Sequence, residues 1–185
     1  PEGYHKAMRL AQQAEKFHRP VLFIIDTPGA YPGIGAEERG QAVAIAKSIQ
    51  SLFSLKTPVI SVILSEGGSG GALAIGVADE VWMFENATYS ILSPEGFASI
   101  LYKDASLAKE AAEDMKLTSK DLHSFGIVDH IVMEGDEGLH VGSERTFRQL
   151  KEDLYRTFVA LNATPMETLL EKRYEKYRRF GHFQS

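Results

Sequence analysis

The chain has 185 residues, 44% of them hydrophobic, with 20 Lys+Arg against 25 Asp+Glu and a formal net charge of -5. That length buries one sizeable core and is short for two independent domains, and the acidic balance argues against nucleic-acid binding unless a local basic patch overrides it, which the first 140 residues lack. With no cysteine, disulfide frameworks and thiolate metal sites are both removed, as fits a reducing cytosol; apolar runs such as Val21 to Ile25 are far too short to span a bilayer, so a soluble, non-membrane protein is expected.

The sequence opens on Pro1, with no charged-then-apolar leader, so an upstream part of a longer natural chain is expected. Tyr4, Ala7, Met8, Ala11, Ala14 and Phe17 recur at helical spacing and predict an amphipathic helix over Gly3 to Phe17. Pro20 then opens a nearly continuous apolar run, Val21 to Ile25, which reads as a strand buried on both faces and ended by Asp26-Thr27-Pro28-Gly29. After a Gly/Pro-rich loop to Gly35, helical spacing returns from Ala36 to Lys56 through Val43, Ala46, Ile49 and Phe53, and Pro58 starts a second buried strand, Val59 to Leu64.

Behind the glycine-rich stretch Gly67 to Gly71, a short apolar helix is expected from Ala72. Strand-like stretches follow at Val81 to Phe84 and Thr88 to Leu92, then helical segments at Phe97 to Tyr102 and Leu107 to Met115. Thr118 is placed to cap another short helix, and Ile127 to Val132 reads as a last strand. From Val141 the sequence turns polar and helical through Phe180, with Asn162-Ala163-Thr164-Pro165 as a break between two helices. Residues 1–140 are therefore expected to form a core, and residues 141–185 a helical extension of the same domain. Alternating strands and helices predict an α/β domain whose chemistry lies in loops at the carboxyl ends of strands, here Asp26 to Gly35 and Ser65 to Gly71.

Three readings of those loops compete. Isolated glycines after strands make tight turns and nothing more, yet between Glu66 and Ala72 only Ser69 carries a side chain, so bare amides face whatever binds there, as suits an anion or developing oxyanion. Gly67-Gly68-Ser69-Gly70-Gly71 also satisfies G-x-S-x-G between a strand and a helix, the setting of a hydrolase nucleophile. A general base is then required, and His123, His130 and His140 are not in the obvious position on the next strand. Asp26-Thr27-Pro28-Gly29 copies the D-x-x-G switch of nucleotide hydrolases, but the phosphate cradle G-x-x-x-x-G-K-[ST] is missing from this sequence, and Asn86 and Asn162 are each followed by alanine rather than opening Asn-Lys-x-Asp.

Taken together, Asp26-Thr27-Pro28-Gly29-Ala30-Tyr31-Pro32-Gly33 with Glu37-Glu38, and Glu66-Gly67-Gly68-Ser69-Gly70-Gly71-Ala72-Leu73, closely resemble the alpha subunits of bacterial-type acetyl-CoA carboxylase carboxyltransferase. The resemblance extends through Ser93-Pro94-Glu95-Gly96, Leu117-Thr118 and Gly126-Ile127-Val128-Asp129. It implies the crotonase/ClpP superfamily, a spiral of β-β-α units with, in this chain, additional C-terminal helices. The implied reaction is carboxyl transfer from carboxybiotin, carried on a biotin carboxyl carrier protein, to acetyl-CoA, giving malonyl-CoA for fatty acid synthesis. In that reaction negative charge grows on a ureido oxygen and on a thioester oxygen, and the biotin enolate can itself serve as the base, so no His/Asp pair is required.

By resemblance, the backbone amides of Gly29, Ala30, Gly70 and Gly71 are the candidate oxyanion donors and carboxybiotin contacts. The resemblance further implies a beta-subunit partner in an α2β2 assembly, carrying most of the acyl-CoA site and a zinc ribbon, since cysteine-free sequence offers zinc no thiolate. Biotin carboxylase is the other expected partner, and the expected location is the cytoplasm, or the plastid stroma in a plant or alga. A ClpP-like hydrolase using Ser69 is the alternative enzyme, although Ile91-Leu92-Ser93-Pro94-Glu95 lacks the histidine that such peptidases carry there, and a catalytically silent scaffold is the non-enzyme alternative. Glu37, Glu38 and Arg39 read as helix-opening residues, His5 and His18 as surface, and Trp82 and Phe84 as core. Lys172, Arg173, Lys176, Arg178 and Arg179 interleave with Glu171 and Glu175 and are expected on a solvated helix or a subunit contact.

Overall fold

The computed structural model describes residues 1–135, 138–140 and 143–181; the expected helix start at Val141 and the last four residues of the C-terminal extension lie outside them. Helix α1 (Glu2–Lys16) buries Met8 and Ala11, while Phe17, expected on its apolar face, falls at the C-cap and is exposed. Strand β1 (Val21–Thr27) leads through the first loop to α2 (Ile34–Glu38) and α3 (Gln41–Ser54). The single helix expected over this stretch is broken, because Gly40 adopts φ +83°, a left-handed conformation that ends one helix and re-aims the next. Restarting at Gln41 turns the buried face to Gln41, Ala44, Ser48 and Leu52, leaving Val43 exposed.

Strand β2 (Val59–Gly68) continues four residues past its expected end, so the first two glycines of the glycine-rich stretch are strand. Helix α4 (Ser69–Leu73) starts directly on them, three residues earlier than expected. Next come β3 (Glu80–Phe84), β4 (Thr88–Ser90), α5 (Pro94–Phe97), a π-helical turn over Ala98–Tyr102, a 3-10 turn over Ala105–Leu107 and α6 (Ala108–Met115). Thr118 caps α7 (Ser119–Ser124) as expected, its hydroxyl accepting the Asp121 amide at 3.4 Å. Strand β5 (His130–Val132), α8 (Ser143–Ala163) and α9 (Met166–Arg178) complete the described chain.

The sheet runs β1-β2-β3-β5, every pair parallel, with β4 pairing the far end of β2 through Glu66–Gly68 against Thr88–Ser90. The end of β2 thus bends out of the main sheet, and β3, β4 and the helices after them form one β-β-α step of the expected spiral. Strand β2 is buried on both faces from Val59 to Ile63, as its unbroken apolar run demands. Strand β1 is not: it lies at the sheet edge, and Leu22 and Ile24 face outward, 40% and 61% exposed. Trp82 and Phe84 are core residues, at 2% and 1% exposure.

The basic residues of α9 divide. Lys172, Arg178 and Arg179 are exposed, but Arg173 is buried beside Asp79, with side-chain exposures of 0% and 4%. All five guanidinium N–H groups have acceptors: Nε and Nη2 donate to the Asp79 carboxylate at 2.8 Å each, Nη2 also to the Thr57 carbonyl, and Nη1 to the carbonyls of Leu52 and Leu55. Asp79 also accepts the Val59 amide at 2.7 Å. Lys176 pairs with Asp129, which accepts the Val81 amide at 2.7 Å. Charge interleaving along the helix does not reveal this, because Arg173 and Lys176 turn inward to carboxylates about a hundred or fewer positions away in sequence. Removing one member of such a pair strands a charge in the core, so Arg173→Met is expected to cost about 3–5 kcal/mol in urea unfolding. Pairing it with Asp79→Asn should recover part of that loss.

Candidate active site

Both loops singled out from sequence lie at the carboxyl ends of neighbouring strands, β1 and β2, which pair in register from Val21↔Val59 to Ile25↔Ile63 and again at Thr27↔Gly67. The register slips between Ile25 and Thr27, and Asp26 takes the Glu66 amide at 3.4 Å, tying the two strand ends across the irregularity. Beyond it the backbones meet closely. A Cβ on Gly68 would stand 1.9 Å from the Pro28 carbonyl oxygen, and one on Gly71 would stand 2.4 Å from the Ala30 nitrogen and 2.7 Å from the Gly29 carbonyl carbon. No L side chain fits at either position. A Cβ on Gly70 would meet Ile45 at 3.5 Å, an ordinary contact. The four predicted residues Gly29, Ala30, Gly70 and Gly71 are therefore brought together, although only Gly71 touches the first loop so tightly.

The amides differ in availability. Gly29 holds φ +145° inside a local knot: its amide donates to the Thr27 hydroxyl at 3.2 Å, and that hydroxyl donates to the Gly29 carbonyl at 3.0 Å. Gly70 and Gly71 lie in the first turn of α4, where an α-helix supplies no acceptor for N–H groups. The Ala30 amide likewise has no acceptor among the described residues. Three unengaged amides on two apposed loops can hold an oxygen that carries or develops negative charge.

Sequence reasoning missed three residues around this point. Thr27 is one, and a hydroxyl two positions before a glycine in Asp-Thr-Pro-Gly is a readable turn signal. Gln41, at the start of α3, donates its carboxamide to the Tyr31 carbonyl at 3.2 Å and so holds the first loop just past Ala30. Tyr4 reaches the loops from α1, its hydroxyl oxygen 2.9 Å from where a Gly71 Cβ would stand; nothing local in sequence announces it.

Ser69 takes φ +55°, unusual for a residue with a side chain. It borders an apolar cavity of about 490 Å³ whose walls include Leu73, Tyr89, Phe97, Leu122 and Tyr177. No histidine of the described residues lines that cavity. Burial pushes the Tyr89 and Tyr177 hydroxyls above the usual phenol range, which keeps both as neutral donors rather than bases. A larger cleft of about 970 Å³, lined by charged residues of α9 with Asp79 and Asp129, contains none of the four predicted residues. Among the described residues no cluster of His, Asp or Glu could hold a metal ion, and no helix is long and apolar enough to cross a membrane.

Comparison with known proteins adds the relatives. The family model described as acetyl co-enzyme A carboxylase carboxyltransferase-like matches residues 1–181. The acetyl-coenzyme A carboxylase carboxyl transferase subunit alpha of Clostridium acetobutylicum is 55% identical over 183 residues, covering 99% of this chain and 67% of the relative. The same subunit of Carboxydothermus hydrogenoformans is 55% identical over 181 residues, covering 98% of this chain and 56% of its own length. The chain thus spans between about half and two thirds of such relatives. Among solved structures, a Pseudomonas malonate decarboxylase hetero-tetramer in complex with coenzyme A superposes with TM-score 0.77 at 18% identity, over 96% of this chain and 70% of that one. Transcarboxylase 12S superposes with TM-score 0.65 at 23% identity, over 70% and 27%. These likenesses establish the crotonase-like fold.

The packing separates the two glycines of α4. Gly70→Ala is expected to be neutral or stabilising by up to about 1 kcal/mol, since alanine is the better helix residue and has room. Gly71→Ala is expected to cost about 1–3 kcal/mol through overpacking against the Gly29–Ala30 peptide. Paired urea titrations measure both, and equal effects would contradict the close approach.

Proposed function

This chain belongs to the acetyl co-enzyme A carboxylase carboxyltransferase-like family, and from that premise we propose that it supplies one half of a shared active site that moves a carboxyl group from carboxybiotin to acetyl-CoA, forming malonyl-CoA. The observation that carries the reading is the apposition of the Ala30 amide with the first-turn amides of α4, held by glycines that leave no space for a side chain. When bound, the biotinyl group supplies the activated carboxyl and the ureido oxygen on which charge collects.

This chain's own work is electrostatic. The amides of Ala30, Gly70 and Gly71 are oriented before the substrate arrives, and one such donor contributes about 3 kcal/mol to a transition state that develops charge. The Gly29 amide joins them only if the Thr27 hydroxyl releases it. The finer parts of the proposal are a beta subunit in an α2β2 assembly that brings the acyl-CoA site and zinc, a biotin carboxyl carrier protein, biotin carboxylase and a cytoplasmic setting. Residues 1–140 act in it as the catalytic core and residues 141–185 as a helical extension of the same domain, supported by Arg173 and Lys176 reaching from α9 into that core.

The test is malonyl-CoA-dependent carboxylation of free biotin, read as acetyl-CoA release, with this chain alone and mixed with a carboxyltransferase beta subunit. Activity is expected only in the mixture. Gly71→Ala in the folded mixture should lower turnover about a hundredfold or more, and Ser69→Ala should change it less than about threefold. Retained turnover in Gly71→Ala, or its loss in Ser69→Ala, would count against the amide site and for a serine nucleophile respectively.

A further inference from the structure

We infer that Gln41 is a positioning residue for the first loop, its side-chain amide keeping the Ala30 peptide in place against Gly71; this rests on the reading that the Ala30 amide is one of the donors of the site. The Gln41 carboxamide donates to the Tyr31 carbonyl at 3.2 Å, the one hydrogen bond that residues 30–32 make among the described residues. On the other side, the Thr27 hydroxyl grips both the amide and the carbonyl of Gly29. Pro28 and Pro32 fix their own φ angles at the two ends of Pro28-Gly29-Ala30-Tyr31-Pro32. The Ala30 peptide is thus tethered from both flanks, and Gln41 is the tether that comes from another element, the first residue of α3.

The fold gives up stability to place that side chain. Gln41 is 5% exposed, and its carboxamide oxygen is buried with no hydrogen-bond partner among the described residues; an oxygen stranded in this way destabilises a fold. Two positions on, and so on another face of the helix, Val43 is 55% exposed. Hydrophobic burial alone favours the reverse, with valine inside and glutamine outside. The left-handed turn at Gly40 sets this phase, because α3 restarts at Gln41 with its buried face on Gln41, Ala44, Ser48 and Leu52. Methionine, unbranched and adaptable, would fill the space without a stranded oxygen. What glutamine adds is an N–H donor that reaches the first loop. A local rule broken beside the site marks a residue that serves position rather than stability.

The test compares Gln41→Met with the native sequence, first as the 185-residue chain by itself and then mixed with a beta subunit. In the chain by itself, 15N relaxation should show the Ala30 and Tyr31 amides falling from an order parameter of about 0.85 to below about 0.6, with α1, α3 and the sheet unchanged. Tm should stay the same or rise, since the stranded oxygen is gone. In the mixture, kcat for malonyl-CoA-dependent carboxylation of free biotin should fall about tenfold or more while the biotin KM moves less than about threefold, because loop geometry matters most where charge develops. Unchanged order at Ala30 and Tyr31, or turnover within about twofold of native, overturns the inference and leaves the proposed function intact. So does a loss of turnover matched by a fall in Tm, which marks a structural role. A native mixture that does not turn over overturns the proposed function and this inference with it.

Discussion

The site depends on a contact between two backbones. At Gly68 and Gly71, the end of β2 and the start of α4 press against Pro28, Gly29 and Ala30, with less room than one carbon atom needs. Hydrogen bonding along β1 and β2 brings the strand ends to a fixed separation, and the slip after Ile25 sends the first loop across the second. With no side chain intervening, the peptide groups of the two loops themselves meet. Peptide groups held in this way have their orientation fixed by folding.

The opposite end of the sheet carries the stability. Asp79 accepts the Val59 amide where β2 begins, Asp129 accepts the Val81 amide near the start of β3, and Arg173 and Lys176 of α9 close both carboxylates. Arg173 also donates to the carbonyls of Leu52, Leu55 and Thr57, at the end of α3 and in the turn after it, so one guanidinium joins α3, β2 and α9. Stabilising charge thus lies at the amino ends of the strands and the free amides at the carboxyl ends, the usual arrangement in open parallel α/β sheets.

Ser69 illustrates how one local geometry serves different chemistries. Its left-handed backbone and its place between strand and helix match a nucleophile elbow. The cavity beside it offers phenols and aliphatic side chains, with no histidine of the described residues in its walls.

Much of the chain is legible from sequence alone. Apolar runs located β1 and β2, helical spacing located α1 and the C-terminal helices, and glycine content located the two loops whose backbones meet. The family resemblance carried the β-β-α spiral, which strand and helix order could not distinguish from a doubly wound sheet. Other features are non-local. Whether Leu22 and Ile24 are buried depends on which strand lies at the sheet edge, and Gly40 broke a helix that spacing alone continued. Only the packing of α9 decided that Arg173 and Lys176 are core ion pairs rather than surface charge. Only the meeting of three elements placed Tyr4 beside Ala30 and Gly71. Sequence determines what each residue can do and which local shapes it favours, whereas proximity between distant segments is set by burial and strand register, which no short window of sequence contains.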